Sequence, residues 1–230
     1  LELLVPMIAA TMVGGSFGTK LYRRMRTLPA YLGPAVLAVF AAFEYTRSWA
    51  WYRVHTDTGF GMFILERFAG YYVTAYNNGQ IRLDHEPRGG VPTNTMEGLW
   101  NAPGIEQLDL YRRLTGIEPM ADYMTNLLHY GNPEFNNESG VVSPFVDYGR
   151  AGGVVYLALL GLVCGWLYVR YARRDPFGLL LYPVAFLSLL EAPRYLWFTQ
   201  GRALVPVVAL LITAVLLTRR RTALTRGEPT

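Results

Sequence analysis

Residues 151–169 read AGGVVYLALLGLVCGWLYV, nineteen consecutive positions without a charge, followed by Arg170, Arg173 and Arg174. A hydrocarbon layer about 30 Å thick takes roughly 20 mostly apolar residues to cross as a helix. The stretch therefore reads as a membrane span. Four more uncharged stretches accompany it, residues 3–19, 27–43, 177–190 and 203–218, and the shorter ones reach spanning length with their flanks. Composition agrees: 52% of the 230 residues are hydrophobic and 17% charged, the wrong balance for a soluble surface. A soluble enzyme, a disulfide scaffold and a disordered chain are disfavoured, and the single cysteine, Cys164, lies inside a span. The expected fold class is all-α, a polytopic membrane protein of about five transmembrane helices with a long, partly helical extracytoplasmic loop.

The net charge of +4 would suit nucleic acid, but the basic residues cluster at span ends, so no nucleic acid is expected as a partner. Lys20, Arg23, Arg24 and Arg26 follow the first span, Arg170, Arg173 and Arg174 the third, and Arg219, Arg220, Arg221 and Arg226 the fifth. Positive-inside bias puts these segments in the cytoplasm and residues 47–150 outside. That outer segment carries eight Arg against twelve Asp and Glu, which agrees with the orientation. Three parts follow: residues 1–46 with two spans and a basic cytoplasmic loop, residues 47–150 as the extracytoplasmic loop carrying the expected active site, and residues 151–230 with three spans and a basic tail. Leu1 lies inside an apolar run without a signal-peptide pattern, so the chain reads as part of a larger polytopic protein.

The outer segment is too long for a mere connection and too aromatic for disorder. Phe68, Tyr71, Tyr72 and Ala75 share one helical face, predicting an amphipathic helix over 61–77 that stops at Asn77, Asn78 and Gly79. Further helices are expected over 105–114 and 120–130. Between them, RGGVPTNT (88–95) and GNPEFNNESG (131–140) are turn-forming and polar. No phosphate-cradling loop, dinucleotide fingerprint, CxxC, HExxH or GxSxG is present. His55, His85 and His129 lack metal-ligand spacing, so neither a metal nor a cofactor is expected.

The informative charges sit near the outer ends of two spans. Glu44 and Glu191 are each followed three positions later by an arginine, Arg47 and Arg194, which sets acid and base on one helical face. Ionisable groups at membrane depth are costly and point to a functional site, although such a pair also neutralises itself while the arginine snorkels outward. Pro193 predicts a kink beside Arg194, and Arg202, across the following turn, is expected to face the same outer pocket.

The run HYGNPEFNNESGVVSPFVDYGRAGG (129–153), with the span that follows it, resembles the oligosaccharide repeat-unit polymerases, also called O-antigen polymerases. RFAGYYVTAYNNG (67–79) is similar to theirs as well, and the likeness covers half to two thirds of the chain, as the C-terminal portion of such a protein. It implies a multi-pass protein of the bacterial cytoplasmic membrane. At the outer face, an undecaprenyl-diphosphate-linked glycan would be transferred onto another lipid-linked repeat, with the lipid diphosphate as leaving group. The implied partners are the lipid-linked oligosaccharide, membrane lipids, and a flippase or chain-length regulator.

That chemistry needs cations for the departing diphosphate, a base for the acceptor hydroxyl and amide or carboxylate groups for sugars. Catalytic candidates are His129, Glu134 and Asp147. Against these roles, a histidine at a helix end suits the helix dipole, a loop carboxylate suits solvent, and Asp147 suits an N-cap of the third span. Substrate-binding candidates are Arg67, Asn77, Asn78, Arg88, Asn136, Asn137, Arg150, Glu191, Arg194 and Arg202. An O-antigen ligase would use the same donor with another acceptor. A transporter or flippase of lipid-linked sugars would break no bond, but it needs polar groups along its spans, and here charges occur only near their outer ends.

Overall fold

The structure, a computed structural model, describes residues 28–86, 90–116, 118 and 121–226. The expected span over 3–19, its basic flank and Arg88 lie outside the described residues. Those described are helical or in turns and irregular loops, with no strand among them. They fall into two compact units, which divide between Val73 and Thr74.

In the Gly15–Val73 unit, α1 (Leu28–Glu44) continues into a π-helical turn, Tyr45–Trp49, and a last turn, Ala50–Tyr52. The next helix, α2 (Phe60–His85), begins in this unit. Phe40 meets Phe68 and Tyr71 edge to face, which fixes the aromatic face read from the sequence against α1. Glu44, only 1% exposed, pairs with Arg67, whose Nε lies 3.2 Å from Oε2. The rings of Tyr52, Phe63 and Tyr71 surround the same guanidinium at 5.6 to 5.9 Å. The expected pairing of Glu44 with Arg47 is therefore replaced. The wider π turn begins directly after Glu44 and changes the register on which i, i+3 pairing depends. Arg47 lies instead over Phe43, 5.8 Å from its centroid.

In the Thr74–Thr230 unit, α2 runs on to His85 rather than stopping at residues 77–79. Its Asn and Gly serve tertiary contacts there. Asn78 is buried, and Nδ2 donates to the carbonyls of Phe135 and Asn137 at 2.7 and 2.9 Å. A Cβ on Gly79 would come within 2.8 Å of Val142 Cγ2, so glycine lets the helix approach residues 139–142. Three short helices follow, α3 (Glu97–Trp100), α4 (Leu110–Thr115) and α5 (Ala121–Tyr130). The helix expected over 105–114 forms only in its second half, because residues 101–109 wind as turns up to Asp109 at φ 50°.

The apolar stretches become α6 (Ser143–Ala172), α7 (Pro176–Glu191) and α8 (Gly201–Arg226). Gly149, at φ 69° and ψ −175°, breaks α6 near its start, a conformation open almost only to glycine and costing other residues about 1–3 kcal/mol. Asp175 makes the α6–α7 turn tight by accepting from Arg170 Nη1 and from the Phe177 amide, both at 3.0 Å. Cys164 and Leu167 of α6 then pack on Leu181 and Ala185 of α7. On the other flank, Val184 and Leu187 pack with Ala203 of α8 and with Tyr195 and Trp197. Rather than kinking at Pro193, α7 ends at Glu191, and a turn with a 3₁₀ segment, Trp197–Thr199, leads into α8.

Among the described residues, two helices, Ser143–Ala172 and Gly201–Arg219, are long and apolar enough to cross a membrane, and Pro176–Glu191 is a shorter apolar helix between them. Val154, Leu159 and Leu162 of α6 and Val205 and Ile212 of α8 are exposed. Apolar faces of this extent suit lipid rather than water.

The α6–α7 contact yields a paired test. Gly178 lies so close to the Tyr171 backbone that a Cβ has no room, whereas Gly161 has no atom within 4 Å of that position. Gly178→Ala should lower the thermal midpoint in detergent, a cost of about 1–3 kcal/mol from overpacking. Gly161→Ala should leave the midpoint near that of the unaltered protein.

Candidate functional site

The site is built around a buried cation that stands four residues before a glutamate. Arg82, with 0% of its surface exposed, directs Nε to both carboxylate oxygens of Glu86 at 3.0 and 3.1 Å, and Nη2 adds a contact of 3.2 Å to Oε2. Its Nη1 reaches Glu138 Oε2, the Glu138 carbonyl and Ser143 Oγ, each at 3.2 Å. The guanidinium also lies over the Tyr123 ring, 5.1 Å from its centroid. One side chain thus ties the end of α2, residues 138–143 and α5 together. Burial pushes the Glu86 carboxyl above the usual range, with Arg82 opposing it. Burial likewise raises the Tyr123 hydroxyl.

A second clasp holds the segment before α3. Asp147 Oδ1 accepts from the amides of Thr93 and Asn94, both at 3.2 Å, and from Asn94 Nδ2 at 2.7 Å. Oδ2 accepts from the Thr95 amide at 2.7 Å and from Thr95 Oγ1 at 2.6 Å. The expected N-cap of the third span is thereby corrected: α6 begins four residues earlier, and the carboxylate satisfies amides of a distant segment instead. Just beyond that segment, Gly98 lies within a would-be Cβ contact of 2.8 Å from the Thr199 carbonyl, seating α3 against the turn before α8.

Residues 135–137 are held from behind. Asn78 binds the carbonyls of Phe135 and Asn137, and the Tyr123 hydroxyl donates to the Asn136 carbonyl at 2.8 Å. With its backbone so engaged, the loop keeps the Asn136 and Asn137 side chains on an open cleft of about 810 Å³. Residues 139–141 then pair with the turn after α7, where the Ser139 amide donates to the Arg194 carbonyl at 2.8 Å and the Val141 amide to Ala192 at 3.1 Å. Gly140 packs directly on the Tyr195–Leu196 peptide, leaving no space for a side chain.

Arg194 and Arg202 line the same cleft, and their guanidinium carbons lie 5.2 and 5.1 Å from the centroid of one ring, that of Tyr195. Arg194 Nη1 bonds Glu191 Oε2 at 2.9 Å, and Nη2 reaches Asn137 Oδ1 at 3.4 Å. Opposite charges come from Glu97 and Glu138, which also line the cleft with Asn101 and Gln200. Burial raises the Glu97 carboxyl, opposed by Arg202. Burial pushes Glu138 up to about 7, with Arg82 opposing the shift. Two forked cations interspersed with amides and carboxylates in one cleft suit an anionic ligand that also carries hydrogen-bonding groups.

Of the residues singled out from the sequence, the structure brings Asn136, Asn137, Arg194 and Arg202 to this cleft, with Glu191 bonded to Arg194. Asn78 lies behind the loop, and Asp147 forms the clasp described above. His129 is exposed at the end of α5, its Nδ1 2.8 Å from the Thr125 carbonyl. Glu134, Arg150 and Asn77 are exposed and do not line the cleft. Arg67 belongs to the Gly15–Val73 unit and pairs with Glu44 there. Sequence reasoning missed Arg82, Glu97 and Tyr123. For Arg82 the signal was its i, i+4 spacing to Glu86, hidden by reading a helix stop at residues 77–79.

No family model, no curated protein and no solved structure matches this chain.

Removing the buried cation should be costly. Arg82→Ala would leave Glu86 and Glu138 without their counter-charge, and breaking buried pairs destabilises by about 3–5 kcal/mol. The expected result is a clear fall in the thermal midpoint of the purified protein. An unchanged midpoint would remove Arg82 from the centre of this architecture.

Proposed function

We propose that this chain carries the active site of a polymerase of undecaprenyl-diphosphate-linked oligosaccharide repeat units, working at the outer face of the bacterial cytoplasmic membrane as part of a multi-pass protein. The observation that carries this reading is the cleft in which Arg194 and Arg202 share the Tyr195 ring beside an asparagine-bearing loop. In the reaction, an acceptor hydroxyl oxygen bonds to the anomeric carbon of the donor glycan. The bond from that carbon to the diphosphate oxygen breaks, and its electron pair leaves on the lipid diphosphate. Negative charge grows on the leaving group, and preorganised guanidinium donors favour that charge more than they favour the ground state.

Glu191 and Asn137 orient the Arg194 fork. Asn136, Asn101 and Gln200 supply amide groups of the kind that bind sugar hydroxyls. The apolar helices α6 and α8 suit the lipid environment in which a polyprenyl donor is held. Arginine-rich ends of the apolar stretches support the outward orientation of the cleft segment.

Two measurements test the reading. Binding of undecaprenyl diphosphate to the full chain in nanodiscs should weaken about 10- to 100-fold in Arg194→Ala, the scale of a lost hydrogen bond to a charged group. Polymer formation from synthetic undecaprenyl-diphosphate-linked trisaccharides should be abolished per folded molecule in the same variant. Arg194→Lys should rescue poorly, since one ammonium does not reproduce a two-pronged phosphate contact, and Arg202→Ala should be milder. Full activity of Arg194→Ala would sink the diphosphate clamp, and transfer only to an added core glycan would identify a ligase instead.

Orientation is tested separately. Cysteine placed at exposed Asn132 should react with a membrane-impermeant maleimide in intact spheroplasts, while cysteine at exposed Arg173 should react only after lysis. The reverse pattern would put the cleft on the cytoplasmic side and remove the donor from its reach.

A further inference from the structure

Glycosyl transfer of this kind requires a group that takes the acceptor proton, and the cleft limits the choice. Asp147 has both oxygens engaged by five donors from residues 93–95. His129 and Glu134 are exposed outside the cleft. The carboxylates that line it are Glu97 and Glu138. Glu138 is the better held. Its carbonyl and Oε2 accept from Arg82 Nη1, while Oε1 takes no hydrogen bond from any described residue. On its other side, Ser139 adopts a left-handed φ of 61° and donates its amide to the Arg194 carbonyl. The carboxylate is therefore fixed to the same turn that carries the cation.

We propose that Glu138 is the catalytic proton acceptor of the transfer, with Arg82 and Glu86 as positioning residues, an inference that rests on the polymerase reading above. As the acceptor oxygen bonds to the anomeric carbon and the diphosphate departs with the bonding pair, the hydroxyl proton passes to Glu138 Oε1. It is released to solvent before the next turnover. Arg82 opposes this basicity, but Glu86 takes its Nε and Nη2 and leaves Glu138 one nitrogen, Nη1. A carboxylate paired alone with an arginine would be a poorer base.

The surroundings set the pH at which the group works. Facing it are Arg82 and Glu86 at the end of α2, Glu97 of α3, Tyr123 of α5 and Asp147 of α6, with Arg194 and Arg202 lining the same cleft. Burial is the largest influence and raises the carboxyl, as do Glu97, Glu86 and Asp147, whereas Arg82 lowers it; the balance is about 7. Protonated Glu138 accepts no proton, so turnover should fall as pH drops through this value. Near neutrality such a group is matched to its task.

The experiment measures polymer formation against pH for the full chain in nanodiscs, with synthetic undecaprenyl-diphosphate-linked trisaccharides as substrate. The unaltered protein should lose activity below about pH 7. Glu138→Gln should cut turnover by about 10²- to 10⁴-fold, abolish that limb and leave undecaprenyl diphosphate affinity unchanged. Turnover within threefold of the unaltered protein would overturn the assignment. Should Glu138→Gln fold poorly, Glu86→Gln decides. Losing this neighbouring negative charge and freeing Arg82 should move the limb to lower pH by about one unit, and an unmoved limb would overturn the inference. An unaltered protein that makes no polymer from these substrates sinks the polymerase reading itself, whereas active Glu138→Gln sinks only the base.

Discussion

The Arg82 guanidinium is a full charge with no exposed surface, and the larger unit is organised by the need to satisfy it. A cation withdrawn from water loses several kcal/mol of hydration and keeps its charge only among acceptors. Glu86 is supplied by local helix geometry, but one carboxylate does not use all five donors. The remaining acceptors come from residues 138 and 143, far along the chain. Drawing those residues onto α2 also draws in the asparagine-bearing loop ahead of them and the start of α6 behind them. The same requirement explains why Gly79 stands where it does: the approach demanded by Arg82 leaves no room for a side chain opposite Val142.

A second consequence runs from the loop to the cleft. Residues 139–141 lie along the turn after α7, so the carboxylate of Glu138 and the guanidinium of Arg194 belong to two strips of backbone bonded to each other. Asp147 acts in parallel, tying residues 93–95 to α6 and so presenting α3, with Glu97, at the cleft. Glu138 and Glu97 are held by separate anchors, Arg82 and Asp147, that share α6. Preorganisation of this kind lets charged groups keep their positions while charge develops on a ligand, without reorganising at that moment.

The limits of reading the chain are visible at particular residues. The Glu191 and Arg194 pair is legible from a spacing of three, and the structure holds it at 2.9 Å. The same spacing misleads at Glu44, where a π turn follows at once and a buried arginine twenty-three residues away takes the carboxylate. Asn77, Asn78 and Gly79 carry the composition of a helix stop, yet α2 passes through them because tertiary bonds outweigh local preference. Asp147 has the look of a cap for its own helix and instead caps another segment. Arg82 drew no notice, since its importance lies in burial, which no local pattern reports.

What the sequence determined by itself depends on short range: the apolar stretches, the alternation of arginines at their ends, the turn-forming run 131–140, and acid and base one helical turn apart. Each follows from helix geometry or transfer from water, which neighbouring residues settle among themselves. Only the tertiary structure decided which charges are buried, which carboxylate meets which arginine, and that Asn136, Arg194 and Arg202 open onto one cleft with Glu138. Those outcomes depend on closing long loops, and the contact energy that repays such closure belongs to pairs of distant residues rather than to either residue alone.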